Sequence, residues 1–249
     1  MKRFFVEQID DNKKMVLITG KELHHLKDVL RLKKGNEVIV FNGKGQELAG
    51  IIEAVSKNEA SIIIRKKLNT SSESRFEIIL CQGLAKAEKM DMIIQKAIEL
   101  GVSRVVPFIA ERVVPNVDNE KIIKKTRRWK RIALEAAKQC RRSVIPEIEE
   151  PISFTKVLSR CSADDERYLK IISWEGENKN TLKDVLRADK YSGSVVLIGP
   201  EGGFSEAEVD EAKRSGFAPV MLGPRILRTE TASISILAII QYELGDMGG

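Results

Sequence analysis

The sequence predicts two domains of different class, a small β-barrel and, after it, an α/β domain with a mostly parallel sheet. Three observations carry this. Apolar residues in the first seventy positions fall in short runs closed by turn signals, whereas from Phe76 onward strand-like runs alternate with longer segments of helical period. Between the two regions Asn69-Thr-Ser-Ser-Glu-Ser-Arg75 is polar and aperiodic, the composition of a linker. Two glycine-containing loops, each entered from an apolar β-branched run, stand at the end of the second region rather than at its beginning. The division is therefore residues 1–70 and 74–249.

In the first domain the predicted strands are Phe4–Val6, Met15–Ile18, Glu37–Asn42, Leu48–Val55 and Ala60–Lys66. Asn42-Gly43-Lys44-Gly45 is a strong turn signal. One helix, from about Lys21 to Leu30, interrupts them, with Leu23, Leu26, Val29 and Leu30 on one face. Short strands at this spacing suggest a small barrel. His24, His25 and Arg31 fall on or beside the helix. They read either as a solvated edge or as contacts to a nucleic-acid backbone.

In the second domain Phe76–Gln82 is a strand, and Lys86–Leu100 is a helix with an apolar face and Gly101 at its C-terminal end. Arg104–Ile109 is a strand. Asp118–Arg141 is a long helical region in which Trp129, Ile132, Ala133, Ala136, Ala137 and Cys140 repeat at helical spacing. Phe154–Leu158 is a short helix, Tyr168–Ser173 a strand and Thr181–Ala188 a helix. A last helix, from about Thr231 to Leu244, is apolar on much of its surface, which makes it deeply buried or part of a subunit interface. Strands alternating with helices imply a mostly parallel sheet covered by helices.

Composition bounds the function. The 249 residues are 43% hydrophobic and 31% charged, the balance of a soluble globular protein, and no apolar run approaches a membrane span. The N-terminus, Met1-Lys2-Arg3-Phe4-Phe5, lacks a signal-peptide core. Cys81, Cys140 and Cys161 are odd in number and far apart, fit no disulfide framework or metal motif, and point to a reducing cytosol. With His24 and His25 alone, a histidine metal site is improbable. The net charge of +6 suggests a polyanionic partner. Residues 121–142 hold ten basic residues and one acid, Glu135, an excess that favours contact with phosphates. No early G-x-G-x-x-G and no G-x-x-x-x-G-K-[ST] occurs, which argues against a Rossmann nucleotide site and against ATP hydrolysis.

The two glycine loops carry the strongest local signal. Val195–Ile198 runs into Gly199-Pro200-Glu201-Gly202-Gly203-Phe204-Ser205, and Val220–Leu222 runs into Gly223-Pro224-Arg225-Ile226-Leu227-Arg228-Thr229-Glu230. Each apolar run reads as a buried strand, and each loop enters a helix. Ser205 with Glu208 forms a capping box, and Thr229 or Thr231 is placed to cap the second helix. Glycines at strand ends let backbone amides approach a ligand. A plain turn has no need of Glu201, Arg225, Arg228 and Glu230, so the pair of loops reads as one ligand site.

Those loops, with Lys89-Met-Asp-Met-Ile-Ile-Gln-Lys-Ala-Ile-Glu-Leu-Gly-Val102 and the N-terminal His24-His-Leu and Val29-Leu-Arg-Leu32, resemble the RsmE-type ribosomal RNA uridine N3-methyltransferases of the SPOUT superfamily. The resemblance covers nearly the whole chain. Gln139-Cys-Arg-Arg142 departs from it, because relatives tend to carry a small residue and glycine before one arginine. The resemblance implies a PUA-like RNA-binding barrel and a SPOUT-type α/β domain whose C-terminal part, roughly 170–235, threads a trefoil knot, an exception to unknotted topology. It implies S-adenosylmethionine as cofactor, 16S rRNA in the small ribosomal subunit as partner, a cytoplasmic homodimer, and neither membrane nor metal.

Carried onto this sequence, the implied cofactor residues of the first loop are Leu197, Ile198, Gly199, Pro200, Glu201, Gly202 and Gly203. Those of the second are Leu222, Gly223, Ile226, Leu227, Arg228, Thr231 and Ala232. Trp174-Glu175 is a weaker third loop. Uracil N3 is a weakly acidic imide that must lose its proton before or during attack. Arg228 is assigned to stabilise charge developing on the uracil oxygens. Glu230 serves as the base, or orients Arg228, or complements a helix N-terminus. The RNA surface combines Lys2, Arg3, His25 and Arg31 of the barrel with Lys124, Arg128, Arg131, Arg141 and Arg142 of the basic helix. A SPOUT enzyme acting on another RNA or on ribose oxygen, and a non-catalytic ribosome assembly factor, are the alternative readings; the assembly factor would be expected to show eroded glycine loops.

Overall fold

The computed structural model describes every residue except 11–12, 69–71, 113–118, 162–166, 188–190 and 249. The described chain forms two compact units. The first comprises Met1–Glu73 and the segment Ala137–Ile145; the second comprises Ser74–Ala136 and Pro146–Gly249. The linear division at residue 70 did not anticipate that Ala137–Ile145 belongs with the first unit.

The first unit is built on five strands, β1 (Lys2–Phe5), β2 (Met15–Thr19), β3 (Glu37–Phe41), β4 (Glu47–Val55) and β5 (Glu59–Leu68). They form one sheet in the order β1-β3-β4-β5-β2. β1 and β3 are parallel and the other pairs antiparallel. The sheet is a half-barrel, open between β1 and β2 in the recorded pairing. Its strands alternate in burial, so Phe4, Val16, Ile18, Val38, Val40, Ile52 and Ile62 face a common core. Two register shifts in β4–β5 mark irregularities of the curved sheet, one of them beside Gly50. A Cβ at Gly50 would lie 2.6 Å from the carbonyl oxygen of Ile63, so this crossing needs glycine.

The predicted helix after β2 is present with one change. Its first part, α1 (Gly20–His24), is α-helical and continues as a π-helical turn over His25–Val29. The wider turn shifts the phase of the apolar stripe. Leu23 and Leu26 remain buried, while Val29, predicted on the same face, is 60% exposed.

The segment Ala137–Ile145 is held to this unit by ion pairs. Lys138 Nζ lies 2.8 Å from Glu22 Oε1. Arg142 donates to Glu73 from Nε at 2.8 Å, and Glu73 also accepts from the amides of Ser143 and Val144 at 3.0 Å. Arg3 donates to the Arg142 carbonyl at 2.8 Å, pairs with Glu47 and lies over the Phe41 ring.

The second unit is a seven-stranded parallel sheet. Its strands are β6 (Glu77–Gly83), β7 (Arg104–Ile109), β8 (Glu147–Ile148), β9 (Ile152–Ser153), β10 (Tyr168–Ser173), β11 (Gly193–Ile198) and β12 (Ala218–Val220). The order is β12-β10-β11-β6-β7-β8, with β9 also on β7. Apart from β8 and β9, which follow each other directly, successive strands are joined by α2 (Ala87–Glu99), α3 (Asn119–Cys140), α4 (Phe154–Cys161), α5 (Leu182–Leu186) and α6 (Glu206–Arg214), and α7 (Thr229–Glu243) ends the fold. β11 is buried at every position, the near-continuous apolar run expected of a central parallel strand. α2 and α7 pack together. The Ser205–Glu208 capping box is present at α6.

Another core, bordered by α4 and α6, gathers Phe108, Phe154 and Phe204. Phe204 lies 6.1 Å from Phe108, ring centroid to centroid, and 5.7 Å from Phe154. Phe204 ends the first glycine loop, so this packing fixes where the loop rejoins the core. Phe204→Ala is expected to cost about 3–5 kcal/mol by urea unfolding, from reduced transfer energy plus a cavity.

Candidate functional site

The site begins at the C-terminal ends of β10, β11 and β12, where open α/β sheets hold ligands. A cavity of about 560 Å³ opens there, within the size range of small-molecule sites. Its walls are the loop Gly199–Phe204 after β11, the loop Met221–Thr229 after β12, and Trp174 and Glu175 after β10. Lys89 of α2 and Ala232 of α7 complete it.

A buried amide holds the two glycine loops together. Gln82, at the end of β6, is fully buried. Its Nε2 donates to Thr229 Oγ1 at 3.1 Å, to the Gly83 carbonyl at 3.0 Å and, at 3.4 Å, to that of Gly199. Its Oε1 accepts from Ser233 Oγ at 2.6 Å. Thr229 Oγ1 donates to the Gly199 carbonyl at 2.6 Å. The sequence placed Thr229 or Thr231 as the cap of α7. The structure instead has Arg228 at the N-cap with no side-chain cap bond, because the Thr229 hydroxyl is engaged by the neighbouring loop.

Backbone space is equally constrained. A Cβ at Gly83 would lie 2.6 Å from Pro200 N and Cδ, so the end of β6 and the first loop touch through glycine. Gly203 has φ +68° and Gly223 φ +97°. A Cβ at Gly223 would meet nothing within 4 Å, so its backbone faces open space.

One cation links the loops from outside. Lys89 Nζ is 3.6 Å from Glu201 Oε1 and 3.2 Å from Glu230 Oε2. Glu201 also accepts from the Lys86 amide at the start of α2, at 3.0 Å. Burial opposes ionisation of Glu201, but that amide, its own amide and the charges of Lys89 and Lys86 outweigh it and lower its pKa.

The cavity gathers most of the residues singled out in the sequence. Ile198, Gly199, Pro200, Glu201, Gly202, Gly203, Leu222, Gly223, Ile226, Leu227, Arg228 and Ala232 line it. Leu197 is buried inside β11, and Thr231 is exposed on α7; neither lines the cavity. Glu230 is set back from the wall and reaches it through Lys89. Lys89 was not among the residues singled out for the site, although it begins the motif Lys89–Val102. A basic residue in the first turns of a helix gives no local sign that it bridges two distant loops.

The basic residues divide. Lys2, Arg31, Lys124, Arg131 and Arg141 are exposed. Arg128 is more than half exposed but paired with Asp91 of α2. His25 is half-buried, edge-on to Phe4. Arg3 and Arg142 correct the expectation. Their side chains are 9% and 6% exposed and committed to Glu47 and Glu73, so they hold the first unit together and do not present charge to solvent.

Comparison with known proteins decides the family. Residues 72–241 match a model described as an RNA methyltransferase domain, and residues 18–65 match an RNA methyltransferase PUA domain. Ribosomal RNA small subunit methyltransferase E of Bacillus subtilis is 35% identical over 98% of this chain and 97% of its own. The chain belongs to the ribosomal RNA small subunit methyltransferase E family. Two solved structures similar to this family member were determined with S-adenosylmethionine bound. A methyltransferase from Legionella pneumophila is 34% identical, with TM-score 0.89 and 98% of each chain covered. The Neisseria gonorrhoeae methyltransferase E is 30% identical, with TM-score 0.90 and 99% of each covered. The half-barrel and the parallel α/β unit are thus the PUA-like and SPOUT-type parts of an RNA methyltransferase fold.

Two outcomes test the geometry of this family member's site. Gln82→Leu removes the donor to Thr229 Oγ1 and the acceptor of Ser233 Oγ, leaving these hydroxyls only the Gly199 and Thr229 carbonyls; urea unfolding should show a drop of roughly 1–3 kcal/mol. Glu201, with its lowered pKa, contributes stability that is full above the ordinary glutamate range and is lost as pH falls through its lowered folded value. The stability advantage of wild type over Glu201→Gln should therefore be present at neutral pH and shrink to nothing in an acid series.

Proposed function

We propose that the chain transfers the methyl group of S-adenosylmethionine to N3 of a uridine in 16S rRNA of the small ribosomal subunit. The observation that carries this reading is the convergence of two complete glycine loops on one cavity that also holds Arg228 and is bordered by the Lys89–Glu230 pair. A non-catalytic assembly factor would not need both loops intact.

The residues present fit the cofactor. Glu175, Glu177 and Glu201 line the cavity, carboxylates suited to a sulfonium and an ammonium, with Lys89, Arg225 and Arg228 on the same lining. Gly223 offers backbone to open space where an adenine or ribose needs close approach. Gly199–Gly203 and Leu222–Leu227 would hold it, and its bound sulfonium supplies an electrophilic methyl group.

The chain's own side chains do the rest. Arg228 lies exposed at the cavity wall, where its guanidinium meets the negative charge that builds on the uracil oxygens as N3 loses its proton. Glu230 receives that proton, and Lys89 holds its carboxylate at the cavity edge. Lys2, Arg31 and Arg141 of the first unit, and Lys124 and Arg131 of the second, contact RNA phosphates. The C-terminal passage of the second unit is threaded, and the protein acts in the cytoplasm as a homodimer in which α7, with Tyr242 62% exposed, supplies apolar contact surface.

The deciding experiment is transfer of labelled methyl from S-adenosylmethionine to small subunits lacking native modification, followed by nucleoside analysis. Label in 3-methyluridine is expected. Label in another nucleoside would overturn the target, and no label with no cofactor binding would overturn the enzyme. Arg228→Ala should fold normally by circular dichroism and fall on the order of 10²–10³-fold in transfer rate. Charge reversal at Lys124 and Arg131 should weaken RNA binding and flatten its salt dependence by about one unit of log–log slope for each phosphate no longer neutralised.

A further inference from the structure

The second unit contains another cavity, of about 510 Å³, set against β6, β7, β10 and β11 and lined by residues other than those of the cofactor cavity. It brings together two cysteines that stand far apart in the sequence. Cys81 of β6 is 1% exposed, and Cys161, the last residue of α4, is partly exposed; both face the cavity. Cys161 packs against the core cluster that contains Cys81. Among the described residues, Arg104, Arg160 and Lys170 stand around them with one carboxylate, Glu149. Glu149 is occupied by Arg160 at 2.6 Å and by Arg104 at 3.5 Å.

We propose that Cys161 and Cys81 form a redox-active pair in this cavity, in which Cys161 reacts with a small hydroperoxide and Cys81 resolves the product to an intramolecular disulfide. The cavity supplies access, the cations favour an anion at sulfur, and the buried partner lines the same cavity. The acidities of the two thiols agree with these roles. Accepting the Cys81 hydrogen bond lowers the pKa of Cys161, burial opposes this, and Lys170 and Arg104 lower it further. Donating that bond and complete burial raise the pKa of Cys81. Thiolate character and access decide which cysteine oxidises.

The steps balance. The Cys161 thiolate attacks one peroxide oxygen; the S–O bond forms, the O–O bond breaks, and the departing hydroxide takes a proton to become water. Cys161 is then a sulfenic acid. The Cys81 sulfur attacks the Cys161 sulfur, the S–S bond forms, and the S–O bond breaks. The hydroxyl leaves as a second water with the Cys81 proton. Two electrons pass from the thiols to the peroxide. The disulfide ties α4 to β6 at the residue immediately before Gln82.

The thiol chemistry does not rest on methyl transfer, and its test reads thiols alone. The full reduced chain, freed of reductant, is treated with hydrogen peroxide and digested under non-reducing conditions for mass spectrometry. The expected result is a Cys81–Cys161 linked peptide, reversed by dithiothreitol. It should form on the order of tenfold faster than oxidation of Cys140, which sits outside the cavity and serves as the internal reference. In Cys81→Ala, a sulfenic acid should be trapped by dimedone at Cys161; in Cys161→Ala, Cys81 should remain a thiol at the same dose. Oxidation of Cys140 as fast as Cys161, absence of the linked peptide from wild type, or oxidation of Cys81 in Cys161→Ala would each overturn the proposal.

Discussion

The site depends on the carboxamide of Gln82. A loop that leaves the end of a parallel strand carries carbonyls the sheet no longer satisfies, and Gly199 is such a residue. Its carbonyl is met by the Thr229 hydroxyl and by Gln82 Nε2. Thr229 begins α7, thirty residues later, and Gln82 closes β6, more than a hundred residues earlier. Three segments distant in sequence therefore meet at one buried polar cluster. In a low-dielectric interior such a cluster is costly when partly made and specific when complete. The shape of the cavity follows from it, because the first of its principal walls starts and the second ends at this junction.

Charge acts one layer further out. Lys89 sits between Glu201 of the first loop and Glu230 in the first turn of α7, and Glu201 is also drawn to the amide that opens α2. With 29% of the Lys89 side chain exposed, the pairs are partly screened and contribute modestly to stability. Their consequence is geometric. The carboxylate assigned to the N3 proton is held by a helix belonging to the core of the unit, so its position is set by packed elements and not by a loop. The Phe204 ring, gripped between Phe108 and Phe154, anchors the other end of the first loop in the same way.

Much of this was legible in the sequence, and the limits have physical reasons. Elements whose signal is local were readable: the apolar run of β11, the capping box at Ser205, and the glycine loops that line the cavity. The π-helical turn at His25–Val29 was not, because a single extra residue per turn leaves composition unchanged and only rotates Val29 into solvent. The return of Ala137–Ile145 to the first unit was hidden inside a continuous helical period, since α3 runs on across the boundary. Lys89 and Gln82 escaped for the same reason. Each acts through partners more than a hundred residues away, and no spacing rule links them. Nor does any spacing rule bring Cys81 and Cys161 to one cavity.

The basic residues separate what a charge count measures from what it does not. The run 121–142 is correctly a surplus of positive charge, but surplus and availability differ. Arg142 gives its charge to Glu73, Lys138 to Glu22 and Arg128 partly to Asp91. A guanidinium at 6% exposure that already holds a carboxylate would have to break that pair and strand a buried charge before it could take a phosphate, a penalty of several kcal/mol that one phosphate does not return. Lys124, Lys125, Arg127, Lys130 and Arg131 carry no such cost: they stand on the exposed side of a helix whose other side, with Trp129, Ala133 and Ala136, is buried. Their charge is solvated, so contact with phosphate exchanges water and counterions and leaves the fold intact. A surface of this kind binds polyanions without reading sequence. On the proposed reading, choice of the modified base is therefore left to the cavity, where Arg228 and, behind the wall, the Lys89–Glu230 pair are assigned to the group that loses its proton.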